Sequence, residues 1–256
     1  MKLERVSYRS LYVWQRDRDV YFRLWKTEFL SALAEPVIVL VAMGLGLGGV
    51  VPLIAGQTYS QFIGPGILAS YAMYAATFEC TYGTFIRMEH QRTFDAIIAT
   101  PVNIEDVIGG EIFWAASRSL ITATSILVIL TLFQLVQSPW ALLVLPLSVV
   151  QGFVFGSMGM FFTSKAPSIT SFGYYFTLFI TPMFFFSGVF FPLSNIPAWV
   201  QGLAGFLPLT PVVQVARGVM TGHFELFYLA QVAYLIALGL FFFFLSLSTM
   251  KRRLIK

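Results

Sequence analysis

The chain has 256 residues, of which 57% are hydrophobic and only 11% charged, with a formal net charge of +4 and a mean hydropathy of +0.78. Ordinary soluble domains carry about 25% charged residues, so this composition excludes a water-covered globule. The apolar runs are continuous rather than alternating, which excludes an outer-membrane β-barrel and leaves an all-α integral membrane protein.

In chain order, the first thirty residues are charged and show no signal-peptide pattern. At 100° per residue, Arg5, Arg9, Arg16 and Arg23 share a narrow sector, with Trp14, Tyr21 and Trp25 opposite. This pattern predicts an amphipathic helix over 1–30, lying in the membrane interface as an anchor or as a lever beside the cytoplasmic mouth. A six-span domain over 31–256 follows. Its apolar stretches are 31–53, 62–85, 107–136, 140–163, 171–192 and 227–249, each near the ~20 residues a helix needs to cross. Gly44 and Gly48, and again Gly152 and Gly156, have the small-xxx-small spacing of close helix packing.

Basic residues set the orientation. All of the 16 lysines and arginines except Arg118 and Arg217 fall before the first span, in the second and fourth loops, or in the C-terminal tail. The positive-inside rule therefore puts both termini in the cytoplasm.

The loop "IRMEHQRTFDAIIATPVNIED" (86–106) is the most polar internal segment. Its part "MEHQRTFDAIIAT" predicts a short helix, with Phe94, Ile97 and Ile98 on one face and Pro101 ending it. Charges such as Arg92 and Asp95 around an apolar knob suit a segment that seats in a groove on a soluble partner.

Glu79, Glu111 and Arg118 lie in or beside apolar spans, where charges are costly and usually paired. Span directions put Glu79 and Arg118 at similar depth, and a pair tying the second and third spans together is expected. Residues 193–226 are too apolar for a free loop, and "IPAWVQGLAGFL" and "TPVVQVARGVM" predict two outer re-entrant helices over about 193–222. Arg217 among them either meets a phosphate or carboxylate of a substrate or caps a helix.

Several chemistries are missing from the sequence. No lysine follows a glycine, so there is no phosphate-binding loop. His90 and His223 are far apart, no Cys/His cluster is present, and Cys80 is the single cysteine. No catalytic residues or metal site are expected. An uphill transporter of this kind draws its energy from another chain or from an ion gradient.

"RMEHQRTFDAIIATPV", the following "GGEIFWAA", and "FFFSGVFFPLSNIPAWVQGLAGFLPLTPVVQVARGVMTG" resemble ABC type-2 exporter permeases, closest to the branch that exports nodulation lipo-oligosaccharides. In the last stretch the resemblance rests on Gly188, Pro192, Leu193, Ser194, Pro197, Trp199, Pro208, Leu209 and Arg217. The resemblance implies a transport subunit without its own ATPase site or cofactor. Two copies pair in the bacterial inner membrane, and each docks one cytoplasmic nucleotide-binding subunit that holds ATP and Mg. It also makes residues 87–100 the coupling helix, with Glu89, Arg92, Phe94, Asp95, Ile97, Ile98 and Pro101 at the ATPase and Phe94 and Ile98 seated in its groove. The pathway would run between the permeases, with Tyr71, Tyr74, Tyr174 and Tyr175 as wall candidates. The cargo implied is an amphipathic glycoconjugate, lipo-oligosaccharide or polysaccharide-like. A hydrophobic-drug exporter and an ion-driven transporter are the alternatives.

Overall fold

The computed structural model describes residues 6–54 and 56–254, without the side chains of 29–32. Arg5 therefore lies outside the described residues. Among the described residues the chain is helical, and Ile54 and Gln57 form one isolated bridge.

Helix α1 (Ser10–Gly48) joins the leader and the first expected span. Its limbs Ser10–Glu28 and Leu33–Gly48 meet at a 44° bend. Helix α2 (Tyr59–Phe78) starts at a capping box, in which Thr58 and Gln61 satisfy each other's backbone N–H groups. Two π-helical turns, Glu79–Gly83 and Ile86–His90, carry the same rod past the end of α2. Hydroxyls press on its backbone there: Thr81 donates to the Thr77 carbonyl, Thr84 to that of Glu79, and Thr163 to that of Cys80. Side chains bonded into the ladder are a known cause of such widened turns.

Short helix α3 (Thr93–Ile98) follows a sharp turn. Then come α4 (Ile104–Leu132) and α5 (Val144–Lys165), the latter entered by the 3-10 turn Pro139–Leu143. Helices α6 (Ser171–Tyr175) and α7 (Thr181–Phe186) are joined by a π turn. That turn precedes Pro182, which has no N–H for the α-helical ladder. Helices α8 (Ala198–Phe206) and α9 (Leu209–Thr221) meet at 91°, and α10 (Phe227–Leu254) closes the chain.

Three helical stretches are long and apolar enough to cross a membrane: α4, Pro139–Lys165 and α10. The number rises to five if the limbs of α1 and the α8–α9 pair each count as one span, and Ser171–Phe186 is a shorter apolar helix. Polar residues in α2 and the brevity of Ser171–Phe186 account for the difference from six uniform spans.

Helix α5 is the hub, packed on α10, α4 and α2. Its glycines permit the close approach. A Cβ at Gly152 would stand 2.7 Å from the Cα of Ala116, and one at Gly156 would stand 3.0 Å from the Cβ of Ala115. Gly44 likewise faces Ser60, but Gly48 faces open space and serves no such contact in this chain. Buried Gln151 of α5 donates to the carbonyl of Ala69 in α2, filling a polar vacancy between two helices.

Candidate functional site

Three features concern function: the α3 segment, an ion cluster beneath it, and a cavity beyond that cluster.

The α3 segment is pinned from several sides. Arg92, at φ +50°, makes the turn into α3 in the left-handed region. Beneath the turn, Phe94 is 0% exposed. Its ring therefore anchors α3 to the bundle and is not presented to a partner, which corrects the expected knob. Periodicity correctly groups Phe94 with Ile97 and Ile98, both half-buried, but the face they share turns inward. The outward residues are Glu89, Arg92, Asp95, Ala96, Ala99 and Pro101. Arg253 of α10 reaches Glu89 at 2.8 Å and also donates to the carbonyls of Thr163 and Ala166. On the other side, Arg9 donates to the Pro101 carbonyl. Helix α4 then begins with Glu105 and Asp106, favourable charges at a helix N-terminus. They hold Lys251 (2.5 Å) and the Ser7 backbone N–H (2.5 Å), respectively.

Beneath α3 lies the ion cluster, centred on Arg87. Its guanidinium bonds Glu111 and stands 2.8 Å from Glu79 and 4.0 Å from Asp17. Glu111, 0% exposed, also accepts from Arg16 (2.8 Å) and from the Thr84 hydroxyl (2.8 Å). Arg118 Nη2 lies 2.9 Å from Glu28, and its Nε lies 3.5 Å from Glu79. The structure thus brings Glu79, Glu111 and Arg118 into one neighbourhood, but Glu111 belongs to Arg87 and Arg16. Sequence reading assigned Arg87 to a loop and Arg16 to the lipid interface, so both were missed as its partners.

The leader limb is accordingly a packed element. Ser10, Val13, Asp17 and Tyr21 form its buried stripe, at the three-and-four spacing of a helix face. Trp14 donates to Ser117 at 2.9 Å, and Tyr21 carries Arg118 4.5 Å above its ring. Arg9 and Arg16 serve protein partners, the Pro101 carbonyl and Glu111. Arg23 and Trp25 remain exposed.

On the side of the cluster away from α3, α1, α2, α4 and α7 line a cavity of about 580 Å³, walled by Glu28, Glu35, Tyr71, Tyr74, Arg118 and Phe184 among others. A second cavity of about 380 Å³ shares Glu28, Glu79, Gly83 and Arg118 with it and extends to Gln91 and Thr93 beside α3. Of the four expected wall tyrosines, Tyr71 and Tyr74 line the larger cavity. Tyr175 is buried and stacked on Phe162 at 4.5 Å. Tyr174 is 72% exposed and lines neither cavity. Tyr175 is thus turned into the bundle, while Tyr174 stands on its outer surface. Glu28 and Glu35 were overlooked, although a carboxylate beside Pro36 in an apolar run was the available signal.

Arg217 lies away from these cavities. It donates to the carbonyls of Phe62 and Gly188, with its guanidinium 3.9 Å above the Phe62 ring. Gly188 has φ +78°, a turn that presents its carbonyl to Arg217. Arg217 thus joins α2, the turn after α7, and α9, a bridge distinct from the helix cap expected for it.

An apolar helical bundle with charges gathered inside it defines a membrane protein. Residues 9–221 match the family described as ABC-2 type transporter, and the chain belongs to that family. It is 37% identical over 244 residues to Nodulation protein J of Rhizobium leguminosarum bv. trifolii, covering 95% of this chain and 93% of the relative. It is 36% identical over 242 residues to Nodulation protein J of Rhizobium meliloti (strain 1021), covering 94% and 92%. A more distant relative is the Inner membrane transport permease YadH of Escherichia coli (strain K12), 24% identical over 213 residues, covering 82% and 80%. The family is the permease component of ABC transporters, which has no catalytic site of its own.

Proposed function

We propose that the chain is the transmembrane subunit of an ATP-driven exporter that moves an amphipathic glycoconjugate, of lipo-oligosaccharide or polysaccharide-like class, out of the cytoplasm or the inner leaflet. Likeness to Nodulation protein J across nearly the whole chain supports the cargo class. On this reading the protein sits in a bacterial inner membrane with both termini in the cytoplasm. Its six spans are the second limb of α1, the α2 rod, α4, α5, α6–α7 and α10, and the right-angled α8–α9 pair is re-entrant. Two copies form the exporter, and each engages one nucleotide-binding subunit that carries ATP and Mg.

The observation that carries the coupling role is the outward face of α3. Arg92, Asp95, Ala96 and Ala99 are exposed on a helix anchored from below by Phe94 and tethered through Glu89 to α10. Small residues flanked by opposite charges suit a groove on a soluble partner. Tyr71 and Tyr74 are the pathway aromatics this reading retains.

The test is co-purification with a candidate nucleotide-binding subunit from the same genome, for the native protein and for Asp95→Arg. An equimolar complex with the native chain, weakened by the substitution while the permease melts unchanged, supports the reading. Failure of the native chain to hold the ATPase overturns it.

A further inference from the structure

The larger cavity carries a statement about the cargo's head that the family assignment does not. Three carboxylates, Glu28, Glu35 and Glu79, face it with a single guanidinium, Arg118. That guanidinium is already committed to Glu28 and Glu79. Glu35 has no ion pair among the described residues, and it lines the cavity together with Tyr71. It sits in an apolar helix limb beside Pro36 and is exposed. A carboxylate in such a limb is costly unless it meets water, protein or a ligand.

The remaining wall is aromatic. Tyr74 is stacked parallel to Phe176, with ring centres 6.2 Å apart, and meets Phe184 edge-on at 5.8 Å. Tyr71 stands 6.1 Å from Tyr74. About 580 Å³ falls within the roughly 300–1,000 Å³ range of small-molecule sites. An anionic head meets repulsion from the surplus carboxylates, and a cationic head finds Glu28 and Glu79 already held by Arg118. An uncharged sugar fits both halves. Its hydroxyls donate to Glu35 and Tyr71, and its C–H face lies on the negative face of an aromatic ring.

We propose that this cavity binds the uncharged, hydroxyl-rich head of the transported amphiphile. Glu35 and Tyr71 hold its hydroxyls, and Tyr74 and Phe184 pack against its ring. The proposal rests on the permease reading above and deepens it. The second cavity shares Glu28, Glu79, Gly83 and Arg118 with the head site and reaches Gln91 and Thr93, so these four residues stand between the head site and the α3 segment.

The test uses the full chain in phosphatidylcholine nanodiscs with radiolabelled dodecyl maltoside as the probe. Dodecyl phosphate and dodecyltrimethylammonium serve as competitors with the same tail. Saturable maltoside binding is expected, displaced by neither charged amphiphile. Glu35→Gln weakens it about tenfold, the scale of one charge-assisted hydrogen bond. Ala75→Phe, which fills the cavity without changing charge, abolishes it. The exposed Leu226→Ala leaves it unchanged. Unchanged binding in both Glu35→Gln and Ala75→Phe overturns the proposal, as does displacement by either charged amphiphile. If Glu35→Gln fails to fold, Tyr71→Phe and Ala75→Phe decide. The ATPase complex is scored on the same preparations. An intact complex with no maltoside binding counts against the cavity alone, whereas loss of the complex in the native chain counts against the permease reading.

Discussion

Arg253 near the end of α10 and Glu89 at the end of the α2 rod meet at 2.8 Å across 164 residues of chain. The last helix therefore holds the turn into α3. Glu89 is itself half exposed, so the ion pair alone is a weak one. Arg253 matters more through the carbonyls of Thr163 and Ala166. Arg253→Ala is expected to lower the melting temperature clearly more than Glu89→Gln, and melting of the two purified variants checks this.

Phe94 and Asp95 are neighbours with opposite exposures. Phe94→Ala empties a fully buried ring site and is expected to cost about 3–5 kcal/mol. Asp95→Arg lies on the surface and should change stability by no more than about 0.5 kcal/mol. Only the second is expected to weaken the ATPase complex at unchanged stability. A destabilised Asp95→Arg, or a Phe94→Ala as stable as the native protein, refutes the orientation of α3.

Glu111 neutralises Arg87 in the interior of the bundle. Glu111→Gln takes the fully buried carboxylate from both Arg87 and Arg16, which keep Glu79 (2.8 Å) and Asp17 (2.6 Å) respectively, with an expected loss of about 3 kcal/mol. Glu79→Gln should cost less, because Arg118 keeps Glu28 and Arg87 keeps Glu111. Thermal unfolding of the two variants in the same detergent gives the order, and the reverse order contradicts the hub role of Arg87.

Glycines that share a sequence spacing are expected to differ in consequence. Gly152→Ala drives a methyl into the backbone of Ala116, an overpacking of about 1–3 kcal/mol. Gly48→Ala meets open space and is expected to be neutral in the isolated chain. Equal effects at the two positions, measured by unfolding, reject the packing scheme.

Cys80 is buried, so the chain offers a quiet background for thiol labelling. Trp199→Cys is expected to react with a membrane-impermeant maleimide in spheroplasts, and Asp95→Cys only in inverted vesicles. The opposite pattern rejects the proposed orientation.

Hydropathy made α4, α5 and α10 legible in the sequence, because each is a long apolar run. The α2 rod was harder. Its lower half is polar, and its widened turns at Glu79–Gly83 and Ile86–His90 leave no mark in hydropathy. Periodicity placed Phe94 on a face with Ile97 and Ile98, yet a face does not state what covers it. The same limit hid the partners of Glu111. Arg16 and Arg87 were read as interface and loop charges because their contacts are 95 and 24 residues away. Glu35 went unnoticed for a related reason, since only the fold turns that helix limb toward Tyr71.

The α2 rod carries the cavity wall at Tyr71 and Tyr74 and ends at the turn into α3, with two π turns between. A π turn is one surplus residue in the helical ladder. Sliding it along by a residue turns the stretch it crosses by about 100°, and as many hydrogen bonds form as break. A π turn moved from Glu79–Gly83 toward α2 would turn the residues it crossed, beginning with Phe78 of the cavity wall, as a screw turns rather than as a piston slides.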